Sequence, residues 1–404
     1  TGYTGTVLSR THASLPIDFK RDDKARSAFV SALRRHVLED LAGSMRADFN
    51  SRVAEQVPAG GWSAERVHQA MRSRDSFRFY SALRTGSQDL LYQTVRGPIE
   101  RSSAALANEA TRLARRGTRS GAGGSLTLDP RLPVPRSVSA IDIHLMPGSY
   151  HTEYGADDLT MGAVYEQRLA ISTFGVFGPN LDDIGQSIAR FMRLRHPGWR
   201  PQRILDLGCT VGHNTGAWKD VFPAAEVHGI DVSAPCLRYA HARARLQRRA
   251  IHCRQMNAEN LDYADGSFDL VFSSMFLHEL PRRSLARVFR EAHRVLRPGG
   301  LMLHMELPPA TQLSPYDSFQ LDWDGHYNNE PFYRTFRACD PRQLIIEAGF
   351  AAKRYVQHVV PSWSALGATA WRRVARAEEP SVDSPQTGRL ARGVRWFCFG
   401  AWRD

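Results

Sequence analysis

Apolar side chains follow two different periods along this chain, and the change of period divides it. In the first hundred residues Phe29, Leu33, Val37, Leu41, Met45 and Phe49 recur at every fourth position, one stripe of a long amphipathic helix. A second helix is predicted from about Ser63, and a third carries Phe79, Leu83, Leu90 and Leu91. Beyond residue 200 the pattern becomes short apolar runs separated by helical stretches. Arg203 to Leu207, Glu226 to Asp231, the run ending at Gln255-Met256-Asn257-Ala258-Glu259, DGSFDLVFSS (265–274), Leu301 to Glu306, Lys353 to Val360 and Val394 to Trp402 read as strands. Their near-continuous apolar character fits strands covered on both faces. Ahead of them Ile184, Ile188, Phe191 and Met192 form one helical face, ended by Pro197-Gly198. Phe222-Pro223 stops another helix. Ser233 caps a third, with Pro235 in its first turn. Alternation of this kind predicts an α/β fold, a Rossmann-like doubly wound sheet with a helical region ahead of it.

Four segments follow. Residues 1–116 are a helical N-terminal region, read as a cap or as a module for homodimer formation. Residues 117–140, rich in Gly, Ser, Pro and Arg, read as a linker. Residues 141–180 gather His144, Tyr150, His151, Glu153, Tyr154, Asp157, Asp158 and Tyr165 in a stretch too glycine-rich for a long helix, read as a lid over a site. Residues 181–404 form the core. An aromatic insertion at 308–340 interrupts it, and the Pro-, Ser- and Gly-containing stretch before Val394 reads as a surface loop.

Composition narrows the reading only a little. A chain of 404 residues that is 42% apolar can bury one large or two modest cores, and no apolar run is long enough to span a membrane. The chain begins TGYTGTVLSRTH, without methionine or an apolar signal core, which leaves a preceding segment open. Five cysteines without a CxxC pair fit reduced thiols in a cytoplasmic protein. The net charge of +12 could serve a polyanion. Its arginines are spread through helices, however, so a nucleic-acid partner is not expected.

The candidate chemistry lies in RILDLGCTVGHNTGAWKDVFPAAEVHGID (203–231). Gly208 and Gly212 allow a tight turn between strand and helix and a close ligand. Asp231, nineteen residues after Gly212, ends the next strand, where a carboxylate can accept both hydroxyls of a ribose. The turn is G-C-T-V-G rather than GxGxxG, so a nucleoside fits better than a dinucleotide pyrophosphate. Asp206 would repel phosphate but could hold a cation.

With these motifs, residues 203–306 resemble the class I S-adenosylmethionine (SAM)-dependent methyltransferase superfamily, in its small-molecule, type 11-like group. The acid–x–Gly–x–Gly–x–Gly fingerprint appears as Asp206, Gly208 and Gly212, with Thr210 in place of the middle glycine. RVLRPGG (294–300) before the fifth strand is the second motif. The resemblance implies seven strands, the last antiparallel between the fifth and sixth, and SAM as cofactor. It implies cofactor contacts from Asp206, Gly208, Cys209, Gly212, Asp231, Val232, Asn257, Ala258 and Ser273, with Tyr154 from the lid. Asn257 stands where the family places Asp against the adenine amino group, and still offers an acceptor oxygen.

Methyl transfer from a sulfonium is an in-line displacement, so a general base is needed only for a protonated acceptor. Candidates are His278 after the fourth strand, Glu306 ending the fifth with His304 on the same face, and His151 or Tyr154 from the lid. No metal site matches a known ligand spacing. Ser273-Ser274 stands where the metal-dependent catechol type would show an acid, and the NPPY or DPPY tetrad of base-methylating enzymes is absent. The expected function is therefore methyl transfer to an O, N or S atom of a small organic metabolite. The alternatives are an RNA or protein methyltransferase that holds its partner through the basic N-terminal region, and a non-catalytic SAM-binding protein.

Overall fold

The computed structural model of the chain describes residues 15–56, 60–119, 123–377 and 395–404. Among these, one sheet contains eight strands: β1 (Ser125–Thr127), β2 (Arg203–Leu207), β3 (Glu226–Asp231), β4 (Ile251–Gln255), β5 (Phe268–Ser274), β6 (Leu296–Glu306), β7 (Tyr355–Pro361) and β8 (Arg395–Trp402). Their order is β1-β4-β3-β2-β5-β6-β8-β7. Neighbours from β1 to β6 pair in parallel, and β8 runs antiparallel between β6 and β7. One apolar layer joins the Arg282–Val295 and Pro341–Glu347 helices to one face of the sheet. A second joins the Asp183–Arg195, His213–Val221 and Trp363–Arg376 helices to the other. Strand order reverses at β2 and β5, so a crevice opens beyond their carboxyl ends.

Seven strands match the sequence expectation; the eighth comes from the stretch read as a linker. Glycine there serves close approach rather than flexibility. A Cβ on Gly124 would lie 2.3 Å from the Ile251 carbonyl oxygen, and Gly124 has a φ of +69°. Only a glycine lets this backbone reach the start of β4 and place β1 on the sheet edge. The presumed surface loop before β8 also contains structure, the Trp363–Arg376 helix. Its remainder, 378–394, lies outside the described residues, as do 1–14, 57–59 and 120–122.

The N-terminal stripe forms the Arg21–Arg35 helix, one π-helical turn at His36–Leu41, and the Ala42–Arg52 helix. A repeat of four drifts around a helix of 3.6 residues per turn, and the wider π turn takes up part of that drift. Val37, Met45 and Phe49 are buried, whereas Phe29 at the start of the stripe is 62% exposed. The third helix, Asp75–Arg119, buries Tyr80, Leu91 and Val95 and leaves Phe79 and Leu90 exposed. Of the four predicted positions, Leu91 is buried and Leu83 packs partly buried against the core, whereas Phe79 and Leu90 face outward.

These helices close against the 308–340 insertion, which forms the Pro315–Tyr327 and Tyr333–Arg337 helices. Phe49 meets Tyr316 at 4.8 Å between ring centroids, and Phe77 meets Trp323 at 5.1 Å. Arg84 Nε donates to Asp324 at 2.6 Å, joined by the Tyr80 hydroxyl at 3.1 Å. The lid segment departs most from expectation. Glycine-rich at its start, it ends in the Thr160–Ser172 helix, which is buried along most of its length and packs under the N-terminal helices.

Candidate functional site

A cavity of about 610 Å³ lies at the carboxyl ends of the central strands. Its floor is Gly208, Thr210, Asp231 and Val232 from the turns after β2 and β3, with Ser274 to Phe276 after β5. Its roof is Arg34, Tyr80 and Arg84 from the N-terminal helices, Tyr150, Tyr165 and Arg168 from the lid, and Gln320, Asp324, Glu330 and Tyr333 from the insertion. The cap therefore completes one cavity with the sheet.

The floor is held by backbone. Asp231 takes the Thr210 N–H on Oδ2 and the Ser233 N–H on Oδ1, each at 2.9 Å. Each oxygen keeps a lone pair, and the carboxylate lines the cavity. Burial raises its pKa, against the pull of the Ser233, Thr210 and Val232 N–H groups. Thr210 adopts a left-handed φ of 49°, so the missing middle glycine changes the side chain and leaves the turn in place at the modest strain of a non-glycine residue there. Gly208 has a different neighbour from the one expected. A Cβ on it would stand 2.3 Å from the Phe276 ring, so the glycine makes room for that ring.

Several of the expected cofactor residues support the floor without lining it. Asp206 is buried beneath the turn and accepts the Thr215 hydroxyl at 2.5 Å; burial pushes its pKa up to about 7. Its place under the turn makes it a brace rather than a cation ligand. Cys209 packs with Leu237 and Ala240, and Gly212 caps the His213–Val221 helix at a φ of 72°. The Asn257 side chain accepts from the Glu259 N–H at 2.9 Å, beside the buried Ala258. The Ser273 hydroxyl meets His304 Nδ1 at 2.7 Å below the surface, and burial pushes that imidazole down to about 3. Tyr154 is 63% exposed and His151 does not line the cavity.

Two of the catalytic candidates, His278 and Glu306, form a buried pair. His278 Nδ1 lies 2.6 Å from Glu306 Oε2, and Glu306 Oε1 accepts the Phe276 and Leu277 N–H groups at 2.9 and 2.6 Å. Burial alone would discharge the imidazole, but Glu306, with Glu279 and Glu330 beyond it, lifts its pKa to about 10. His278 is therefore an imidazolium at neutral pH, a donor rather than the base expected from an ordinary histidine. Glu306 is fully buried, does not line the cavity and fixes the backbone after β5.

Sequence reasoning missed the neighbours of this pair. Glu279 follows His278 and lines the cavity; its Oε1 lies 3.2 Å from His144 Nε2, and its buried Oε2 has no partner. Glu330 Oε1 lies 3.1 Å from His144 Nδ1. His144, Glu279 and Glu330 bring ligand atoms within 4.8 Å of one another, so they could hold a divalent cation. The same atoms also satisfy one another as imidazolium and carboxylates, and burial notwithstanding, those acids raise the His144 pKa. Spacing could not reveal a cluster whose members lie on three separate segments, although Glu279 stands in the loop after the fourth strand, where an acid was sought.

Residues 204–300 match the family model described as Methyltransferase domain. These residues are thus a methyltransferase domain, and their sheet order and Asp231 turn are those of the class I SAM-dependent superfamily. Among similar proteins are the malonyl-[acyl-carrier protein] O-methyltransferase of Legionella pneumophila, 34% identical over 135 residues, 33% of this chain and 45% of that one, and the demethylmenaquinone methyltransferase of Lactiplantibacillus plantarum, 33% identical over 147 residues, 33% and 60% of the two chains. A solved phosphoethanolamine N-methyltransferase 2 of Haemonchus contortus is 18% identical, covers 57% of this chain and 56% of that one, and superposes with a TM-score of 0.37. The chain spans about half the length of the curated relatives it matches. Among the described residues no helix is long and apolar enough to cross a membrane.

Proposed function

We propose that the chain transfers a methyl group from SAM to an oxygen, nitrogen or sulfur atom of a small organic metabolite. One observation carries this reading: the Gly208–Thr210–Asp231–Val232 wall and the cap-built roof face a single cavity of about 610 Å³, the size of a small-molecule site. Bound SAM would supply an electrophilic methyl on its sulfonium. Asp231 is the residue to accept the ribose hydroxyls, because its two oxygens are held by backbone N–H groups and still face the cavity. The buried Thr160–Ser172 helix of the roof helps to keep water from the reacting groups.

Proton removal falls to Glu279 rather than His278. An imidazolium cannot accept a proton, whereas Glu279 lines the cavity, carries an unpartnered carboxylate oxygen, Oε2, and can take one from a hydroxyl or amine acceptor. His278 and His144 then act as positioning residues that hold the carboxylates in place. The apolar faces of the N-terminal helices pack on the insertion, which favours their reading as a cap over one as a homodimer module. Incubation with isotopically labelled SAM and a cell extract, followed by mass spectrometry, tests the function. A labelled small molecule is expected. Label found only in RNA or protein, or SAM bound without transfer, would overturn it.

A further inference from the structure

Two cations in the roof lack a counter-charge. Arg168, on the Thr160–Ser172 helix, is 8% exposed and lines the cavity; its guanidinium sits 5.1 Å above the Tyr165 ring and its Nε has no partner. The groups around it include the phenols of Tyr92, Tyr150 and Tyr165, which burial keeps neutral, and Glu330 lies beyond ion-pair contact; against the cost of burial, these phenols and Glu330 hold the Arg168 pKa above the ordinary arginine value. Arg34, on the Arg21–Arg35 helix, is 5% exposed; it donates to the neutral Gln88 side chain at 2.6 Å and its Nε is also unpartnered. The nearby carboxylate, Asp324, is engaged by Arg84. Among the described residues no carboxylate is in ion-pair contact with either Arg34 or Arg168. Burial, then the like charge of Arg84, pushes the Arg34 guanidinium down to about 9.

A buried guanidinium without an anion is costly, and proteins rarely keep one that nothing will neutralise. Here two line the same cavity, from helices that belong to the cap rather than to the SAM-binding turns. Guanidinium groups bind planar or tetrahedral oxyanions through paired N–H donors. We infer that Arg34 and Arg168 form the anion-binding end of the acceptor site, so that the methyl acceptor is an organic acid bearing a carboxylate or phosphate. This rests on the methyltransferase reading above. The other source of a carboxylate is the methionine end of SAM itself. Arg34, Gln88, Arg84 and Asp324 are all outside the turns that carry Asp231, which favours the acceptor.

Calorimetric titration of the full chain, with and without S-adenosylhomocysteine, tests the inference with a probe set of aromatic and aliphatic carboxylates, aryl phosphates and their matching amides and alcohols. At least one oxyanion is expected to bind tenfold or more tightly than its neutral partner. Arg168→Gln and Arg34→Gln should each weaken it about a hundredfold, Arg168→Lys less, while S-adenosylhomocysteine binds as in the wild type. Carboxylate against phosphate selectivity identifies the group. Equal binding of acids and amides, or no binding of either, would overturn the inference. So would an S-adenosylhomocysteine affinity that falls in the Arg variants as far as acid affinity does, which would assign the guanidinium groups to the cofactor. A wild-type chain that ignores S-adenosylhomocysteine but prefers oxyanions would sink the methyltransferase reading and leave the anion site standing.

Discussion

Replacing Glu306 by glutamine isolates what holds the loop after β5. The Glu306 carboxylate is fully buried and accepts Phe276 and Leu277 N–H groups on one oxygen and His278 Nδ1 on the other, at 2.9, 2.6 and 2.6 Å. Glutamine can keep the backbone bonds through its carbonyl, but then turns an NH₂ toward His278 Nδ1, and the imidazolium loses its nearest counter-charge. The magnitude follows from the imidazole, lifted from 6.5 to about 10. At 1.36 kcal/mol per unit, that lift bounds its contribution at about 5 kcal/mol. Glu279 and Glu330 supply part of it, so a loss of about 3 to 5 kcal/mol is expected, the usual result of breaking a buried ion pair.

The sign of the pH dependence is specific. A raised folded-state pKa gives stability that is complete below about 6.5 and is lost as pH rises through about 10. Urea unfolding of wild type and Glu306→Gln at pH 6 and pH 10 should therefore show a wide gap that narrows, by up to about 1.4 kcal/mol per pH unit. A gap under about 1 kcal/mol at pH 6, or one that does not change with pH, would refute the charged His278–Glu306 unit.

Three further variants probe the rest of the site. Asp231→Ala should weaken S-adenosylhomocysteine binding by roughly 10²- to 10⁴-fold in calorimetry, the equivalent of two charge-assisted hydrogen bonds; unchanged affinity would make Asp231 only a staple for the Thr210 turn. Gly208→Ala drives a Cβ toward the Phe276 ring at a φ of +65° and should cost about 2 to 3 kcal/mol in urea unfolding; an unmoved midpoint would show that the ring yields freely. Glu279→Gln should lower turnover about 10²-fold with cofactor affinity intact. Full turnover in that variant would mean that the acceptor needs no base, as when the nucleophile is itself a carboxylate.

The cofactor half was legible because its chemistry is local in sequence. Asp206, Gly208 and Asp231 fall within one strand–turn–helix–strand unit, and apolar runs ending at β2 and β3 fix where their side chains emerge. Departures within that half also had local causes: Thr210 could replace a glycine because it accepts the left-handed φ. What the pattern could not show was which members of the motif touch the cavity. Cys209 and Asn257 have suitable chemistry and position in the chain, yet packing with Leu237 and a bond to Glu259 take up their side chains. β1 was lost for a related reason. Gly123 and Gly124 just ahead of it answer to Ala250 and Ile251, more than a hundred residues away, and in sequence they look like any flexible stretch.

The acceptor half was illegible because no single segment contains it. Arg34, Arg84, Arg168, Glu279 and Asp324 come from five places along the chain, and each alone reads as an ordinary helix or loop residue; His144, Tyr150 and Tyr165 belong to the cluster that the sequence marks as a lid over a site. Periodicity even concealed the relation, since the face of the third helix that meets the insertion carries Tyr80 and Arg84 rather than the Phe79 stripe. Charge becomes informative only after folding, when Arg84 finds Asp324 and His278 finds Glu306, while Arg34 and Arg168 find no acid. Among the described residues the buried arginines thus divide: Arg84, Arg243 and Arg337 pair with Asp324, Glu166 and Asp322, whereas Arg34 and Arg168 are left for an anion that the chain does not itself provide. Exchanging Arg34 for glutamine should therefore make the unliganded chain more stable in urea as it weakens oxyanion binding, because burial and the like charge of Arg84 disfavour that guanidinium and only the ligand neutralises it. A loss of stability in the unliganded variant would instead make Arg34 a structural cation satisfied by Gln88.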